Sequence, residues 1–345
     1  MSQQTKARWK VLLTAFTILA LVLLVYITRE QIWESLQNLS RVNAWALLLM
    51  PVWQFLNYHS YTKQSQGLFA LLGERLRYRP MFRVMLELNF VNSVFPSGGL
   101  SGFSYFGVRM KDAEVRTAKV SLVYLLRFIL VFIAFQVLLF LGLILLAIVG
   151  RANGLLILVG GSLATLVVVG TFVIAYVIGS KQRINSFFGF ITRALNRFLH
   201  VFRPKHPETV NAIRAKQTFE ELHDNYLLIK KNYRGLRGPL FWSLTASVSE
   251  ILTIYTVYVA FGEWVNPGAV IIAYAVANFA GFISVVPGGV GAYEALMTAV
   301  LAASGVSPGL SIPVTIMYRV LNMLIQLPPG YYFYYRKLHA KPAVS

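Results

Sequence analysis

Long apolar runs alternate with short basic stretches along this chain. Runs at about 9–27, 43–61, 117–149, 154–179, 239–261 and 311–335 reach or approach the roughly 20 residues needed to cross a ~30 Å hydrocarbon core. Strict apolar–polar alternation is absent, so the spans are predicted to be helices and not barrel strands. Two further apolar stretches, 81–108 and 269–303, are interrupted at their centres. The first reads Ser93-Val94-Phe95-Pro96-Ser97-Gly98-Gly99-Leu100-Ser101-Gly102, the second Ser284-Val285-Val286-Pro287-Gly288-Gly289-Val290-Gly291. Neither can be one continuous helix, because proline removes a helix hydrogen bond and clashes with the preceding turn, while glycine adds a conformational cost.

Charge orients these runs. The sequence is 57% hydrophobic and 13% charged, against about 25% charged in a soluble domain. Its net charge is +19. The segments assigned to the cytoplasm hold 27 of the 32 Lys and Arg, those assigned outside hold Arg29, Arg41 and Arg151, and Arg127 and Arg319 fall inside spans. Such a bias places both termini in the cytoplasm of a multi-pass inner or plasma membrane protein. It also accounts for the basic composition without nucleic acid as a partner. The run after Lys6, Arg8 and Lys10 lacks a small-residue cleavage site and reads as a retained first helix. Stretch 81–108 is basic on both flanks, and 269–303 has no Lys or Arg on either. Each therefore enters and turns back, one from each side. The predicted fold class is an all-α polytopic membrane protein with six full transmembrane helices and two re-entrant broken-helix pairs.

Residues 180–238 form the large cytoplasmic segment. Ile184, Phe187, Phe188, Ile191, Leu195, Phe198, Leu199 and Phe202 recur at helical spacing opposite Arg193, Asn196, Arg197 and His200. That pattern predicts an interfacial helix on an anionic lipid surface, with a second, more soluble helix at about 208–232.

The two breaks resemble each other. Asn89-Phe90 precedes the first and Asn278-Phe279 the second; each then has Ser-Val, an apolar residue, Pro and paired Gly. Arg127, with Tyr124, follows the first break; Arg319, with Tyr318, follows the second. The charge pattern opposes the two orientations. Within a single membrane domain, 1–345, this predicts an inverted-topology repeat with units 43–149 and 239–335, and a site where the broken helices meet. A half-helix starting after each Pro-Gly-Gly offers free N–H groups and a positive dipole end, which suits phosphate or carboxylate. The candidate substrate-binding residues are Asn89, Asn92, Pro96, Ser97, Gly98, Gly99, Arg127, Asn278, Pro287, Gly288, Gly289, Gly291, Tyr293, Glu294 and Arg319. Glu87, Glu250 and Glu294 lie in apolar context and are candidates for ion or proton coupling. Structural pairing is the alternative for each, Glu294 with Arg319 included. Asn322 is a further polar group nearby, and helix–helix bonding is the alternative for the asparagines.

There is no cysteine and no phosphate-loop, zinc-protease or nucleophile-elbow motif, so no metal, cofactor or catalytic residue is expected. The run Val286-Pro287-Gly288-Gly289-Val290-Gly291-Ala292-Tyr293-Glu294, with Phe95-Pro96-Ser97-Gly98-Gly99 and Tyr318-Arg319, resembles the lysylphosphatidylglycerol synthase transmembrane-region family, or flippase-like domain. The likeness extends over about 10–338. It implies the lipid-translocating half without the soluble aminoacyl-transferase domain, because the chain ends soon after the last span. The expected function is a lipid translocase for a phospholipid, aminoacyl lipid or lipid-linked glycan, with an anionic or phosphate-bearing lipid as its partner. The alternatives are an integral-membrane transferase on a lipid-linked substrate and a membrane partner of a cytoplasmic synthase.

Overall fold

A computed structural model describes residues 42–95, 100–149, 154–180, 223–283 and 291–339, with scattered positions in 19–40 and at 182, 183 and 186. Among the described residues every regular element is helical. After a helical turn at Ala44–Leu47, the helices are α1 Leu49–Leu71, α2 Tyr78–Val94, α3 Leu100–Lys111, α4 Thr117–Ile148 and α5 Gly154–Ile178. A stretch at 223–231 and a 3-10 turn, Tyr233–Leu236, lead into α6 Arg237–Ala260, then α7 Pro267–Ile283, α8 Ala292–Ala303 and α9 Pro308–His339.

Three described helices are long and apolar enough to cross a membrane: Thr117–Ile148, Tyr233–Ala260 and Pro308–His339. On α4 and α5, Phe140, Ile144, Ile148, Val169 and Phe172 are exposed, as suits a lipid-facing surface and not a water-facing one. The chain is thus an all-α polytopic membrane protein. The expected span 9–27 and the interfacial helix of 180–238 lie almost wholly outside the described residues. The span expected at 43–61 needs correction at its end. α1 runs ten residues further, to Leu71, because Leu68 and Phe69 are fully buried. It stops where Gly73 turns to φ +80, a left-handed conformation that glycine adopts without strain. α1 is also more polar than a lipid-facing span. Gln54, Asn57, Ser60, Thr62, Gln64 and Ser65 are all buried.

Both predicted interruptions are present. α2 ends at Val94 and α3 starts at Leu100; α7 ends at Ile283 and α8 starts at Ala292. At ~1.5 Å per residue, neither 12-residue α3 nor 12-residue α8 can cross a ~30 Å core. The helix lengths match in order. α1, α2, α3 and α4 have 23, 17, 12 and 32 residues, while α6, α7, α8 and α9 have 24, 17, 12 and 32.

The packing matches in the same way. α1 lies antiparallel along α6, pairing Gln54 with Glu250, Asn57 with Ala246 and Gln64 with Ser243. α2 packs on α9, and α7 packs on α4. Each of these crossings uses a glycine at close approach. A Cβ at Gly330 of α9 would meet Leu86 O and Phe90 Cβ at 2.7 Å, and one at Gly142 of α4 would meet Ile271 and Ile272 at 3.1 Å. One apolar core forms around α2 and α3, with Met81, Leu88, Phe106 and Leu122; another forms around α7 and α8, with Ile272, Ala273, Met297 and Leu301. α9 remains helical through Pro313, Pro328 and Pro329, as membrane helices allow when neighbours satisfy the freed backbone groups.

Candidate functional site

The hydroxyls of α1 and α6 are mostly satisfied within their own helices. Ser60, Thr62 and Ser65 donate to carbonyls four residues back, as do Ser243, Ser249, Thr253 and Thr256. The amides and Glu250 are then left to bridge between helices. An unbonded polar group in a low-dielectric interior costs several kcal/mol.

Glu250 of α6 is buried. Its Oε1 accepts from Tyr318 Oη at 2.6 Å and Asn322 Nδ2 at 2.9 Å, and its Oε2 accepts from Gln54 Nε2 at 3.0 Å. No Lys, Arg or His forms an ion pair with it among the described residues. Gln326 Nε2 donates to Gln54 Oε1 at 2.7 Å and to Asn322 Oδ1 at 3.1 Å. Asn89 Nδ2 donates to Gln326 Oε1 and to Tyr58 Oη, both at 2.7 Å. Four helices, α1, α2, α6 and α9, are joined by this chain of amides.

Asn89 is also part of the wall of a cavity of about 250 Å³. Polar groups of Asn57, Tyr58, Gln64, Asn92, Tyr124 and Arg127 share that wall with Met85, Leu88, Phe128 and Val131. Arg127 sits about a third of the way along α4. Its guanidinium lies 5.8 Å from the Tyr61 ring centre and 5.6 Å from that of Phe106, within reach of a cation–π attraction. Its Nε and Nη1 are buried without a hydrogen-bond partner. Each such orphaned donor costs about 1–3 kcal/mol. No carboxylate is within ion-pair distance of Arg127 among the described residues.

Arg319 of α9 is placed differently. Its Nε lies 3.5 Å from Glu294 Oε1, and its guanidinium stacks 4.4 Å over the Tyr293 ring. Glu294 Oε2 accepts from Gly291 N at 2.6 Å. Gly291 holds φ +88, which glycine alone adopts at little cost. The acid thus answers both the α8 N-terminus and Arg319. One N–H at the α8 end is thus answered by the chain's own carboxylate.

Glu87 is buried too, and its partner is Arg109 of α3 and not Arg127. Arg109 Nε donates to Glu87 Oε2 at 2.6 Å, and Tyr105 Oη donates to the same oxygen at 2.9 Å. This ion pair ties α2 to α3. Arg109 also reaches Asp112 at 3.3 Å, and Asp112 meets Lys337 of α9 at 2.9 Å. Partial burial alone would raise the Asp112 carboxyl. The Lys337 ammonium and then the Arg109 guanidinium outweigh that and hold it below the usual carboxylate range.

Of the sequence candidates, Asn89, Asn92 and Arg127 meet at the cavity, and Tyr293, Glu294 and Arg319 meet at the second break. Asn278 donates to Tyr274 O of its own helix at 2.8 Å and joins neither group. Pro96, Ser97, Gly98, Gly99, Pro287, Gly288 and Gly289 lie outside the described residues. Gln54, Asn57, Tyr58, Gln64 and Gln326 were missed. Their signal was a polar stripe within α1, at spacing that places Gln54, Asn57 and Gln64 toward α6. Among the described residues no three His, Asp or Glu side chains gather as a metal site would require.

The family described as the lysylphosphatidylglycerol synthase TM region matches residues 9–330. The chain belongs to this family. It is similar to a UPF0104 membrane protein of Pyrococcus horikoshii, 25% identical over 177 residues, which cover 51% of this chain and 52% of that protein. A UPF0104 membrane protein of Methanothermobacter thermautotrophicus is 25% identical over 157 residues, 46% of this chain and 45% of that one. The chain spans about half the length of these relatives.

Proposed function

We propose that this chain carries an anionic, phosphate-bearing lipid headgroup between membrane leaflets, with Arg127 holding the phosphate. The observation that carries the reading is the Arg127 guanidinium, which has two orphaned donors at a polar cavity. A phosphate ester would accept from both donors, and charge-assisted bonds of this kind are about twice as strong as neutral ones. Asn89 and Asn92 line the same wall and would meet headgroup oxygens. A cavity of about 250 Å³ is smaller than the ~300–1,000 Å³ pockets that enclose whole drug-sized ligands. It accommodates a headgroup, and the acyl tails stay in lipid.

Matched helix lengths and matched crossings support reading 43–149 and 239–335 as inverted repeats. In transporters built this way, one repeat rocks against the other around a site at their interface. The family's description supports phosphatidylglycerol or its lysyl ester as the first substrates to try. We place the protein in the inner or plasma membrane with both termini cytoplasmic.

The test is purified protein in liposomes containing fluorescent phosphatidylglycerol, with an impermeant quencher outside. Wild type should expose the inner-leaflet probe to quenching. Arg127→Ala should slow this by roughly tenfold or more, since truncating one partner of a buried charge contact costs 2–5 kcal/mol. Equal rates for wild type, Arg127→Ala and empty liposomes would sink the reading.

A further inference from the structure

Two amides on the cavity wall have their donors spent and their oxygens left over. Gln64 of α1 is fully buried. Its Nε2 donates to Ser243 Oγ at 2.6 Å and faces Arg127 O at 3.5 Å. The Ser243 O–H is itself spent on Pro239 O, and a backbone carbonyl only accepts, so both contacts fix which end of the Gln64 amide is the N–H2. Gln64 Oε1 is then buried with no hydrogen-bond partner. Asn89 of α2 is held in the same sense. Its Nδ2 donates to Tyr58 Oη and to Gln326 Oε1, and Gln326 is fixed in turn by donating to Gln54 and Asn322. Both hydrogens of the Asn89 amide are used, and Oδ1 remains. Gln64 and Asn89 line the same cavity of about 250 Å³ as Arg127. Other buried groups without partners, such as Gln136, Ser247 and Thr315, are not on this wall.

The wall therefore has unmet needs of two kinds. Arg127 Nε and Nη1 lack acceptors, whereas Gln64 Oε1 and Asn89 Oδ1 lack donors. A phosphodiester answers the first pair and has no hydrogen to give the second. We infer that Gln64 Oε1 and Asn89 Oδ1 form an acceptor subsite for headgroup hydroxyls, so that the lipid carried is a phosphodiester of an uncharged polyol such as glycerol or a sugar. The inference rests on the reading that Arg127 holds a lipid phosphate.

Charge separates a hydroxyl from an ammonium as the donor. Either would satisfy the two oxygens. The residues lining the cavity include Arg127 but no Asp or Glu. One phosphodiester charge neutralises Arg127. An added ammonium would leave a positive charge enclosed without an acid, which a low-dielectric interior penalises heavily. The nearby buried acids are engaged elsewhere, Glu87 by Arg109 and Tyr105, and Glu250 by Tyr318, Asn322 and Gln54. A hydroxyl donates without adding charge. The glycerol headgroup has two hydroxyls beyond its phosphate ester, one for each acceptor. The same argument disfavours an aminoacyl ester of that headgroup, because the ester brings an ammonium.

The test is a headgroup series in phosphatidylcholine liposomes containing wild-type protein, with each lipid fluorescent on its acyl chain and an impermeant quencher outside. Phosphatidylglycerol and phosphatidylethanol carry the same single negative charge, but only the first has headgroup hydroxyls. Phosphatidylglycerol should move about tenfold faster, because phosphatidylethanol leaves the two acceptors buried and unbonded. Phosphatidylethanolamine, which donates through an ammonium, should be slower than phosphatidylglycerol by at least as much. In Gln64→Met the ratio of phosphatidylglycerol to phosphatidylethanol rates should fall toward one. Equal wild-type rates for these two lipids, both lost in Arg127→Ala, overturn the acceptor subsite and leave the phosphate reading standing. Phosphatidylethanolamine moving as fast as phosphatidylglycerol overturns the uncharged headgroup. A wild-type ratio retained in folded Gln64→Met overturns the role of Gln64. Absence of Arg127-dependent movement for every lipid overturns the phosphate reading as well. The wild-type series decides the matter even where Gln64→Met does not fold.

Discussion

Arg127 and Arg319 occupy equivalent places in the two quartets of helices, yet only one has an acid. Counting seven residues from each break proline reaches Glu294 in the second unit and Phe103 in the first. Glu294 holds Arg319 and caps α8. α3 contains no acid anywhere, and among the described residues Arg127 meets aromatic rings and amides but no carboxylate within ion-pair distance. The same fold element thus appears once as a closed ion pair and once as a cation facing a polar cavity. Breaking a buried pair strands the remaining charge, whereas a charge that is unpaired from the start is costly to keep and is a functional candidate by default.

The largest effect that would sharpen this contrast is in transport. Arg127→Ala should reduce lipid translocation by roughly tenfold or more while purified yield and melting temperature hold, measured by quenching and by thermal unfolding in detergent. Arg319→Ala should do the reverse in kind. It strands Glu294 in the interior and should destabilise the protein by about 3–5 kcal/mol, seen as a lower melting temperature. Similar losses of stability in both variants would break the comparison. A direct challenge is Phe106→Glu, which sets a carboxylate against Arg127. The first unit would then resemble the second, and translocation should fall as in Arg127→Ala with the chain still folded.

A smaller effect is expected at the helix crossings. Gly330→Ala places a methyl against Leu86 O and should cost about 1–3 kcal/mol through overpacking. Gly107→Ala, which meets nothing within 4 Å, is the matched control. The smallest effect is at Asp112. Its carboxyl is held below the usual range, so the tether to Lys337 contributes above the ordinary carboxylate value. That contribution is lost as pH falls through the lowered one. Asp112→Asn should remove this acid-side loss with little change at neutral pH, because the pair is largely exposed.

Much of the architecture was legible because membrane spans are written in composition and length. The two breaks, the spans of α4, α6 and α9, and the pairing of Arg319 with Glu294 all follow from apolar runs, proline and charge. The α1 terminus did not, because Leu68 and Phe69 hold helix beyond the apolar run through contacts that no local pattern reveals. The amide chain was hidden for a different reason. Gln54, Gln326 and Asn89 are each unremarkable in sequence, and only the antiparallel register of α1 on α6 and of α2 on α9 brings them into one chain. Glu87 was visible as a buried acid, but its choice of Arg109 over Arg127 depends on how α3 folds back on α2.

The prolines of α9 give the amide chain a mechanical setting. Pro328 and Pro329 cannot donate to the carbonyls of Leu324 and Ile325, so two consecutive rungs are missing from the helix ladder. Those rungs flank Gln326, and Gly330, just past Pro329, lets α9 approach α2 closely. The helix ladder is thus thinnest at the residue that links Glu250 to Asn89. α9 therefore leans on its neighbours there, and the side chains of Gln54 and Asn89 hold in place a stretch that its own backbone would leave soft.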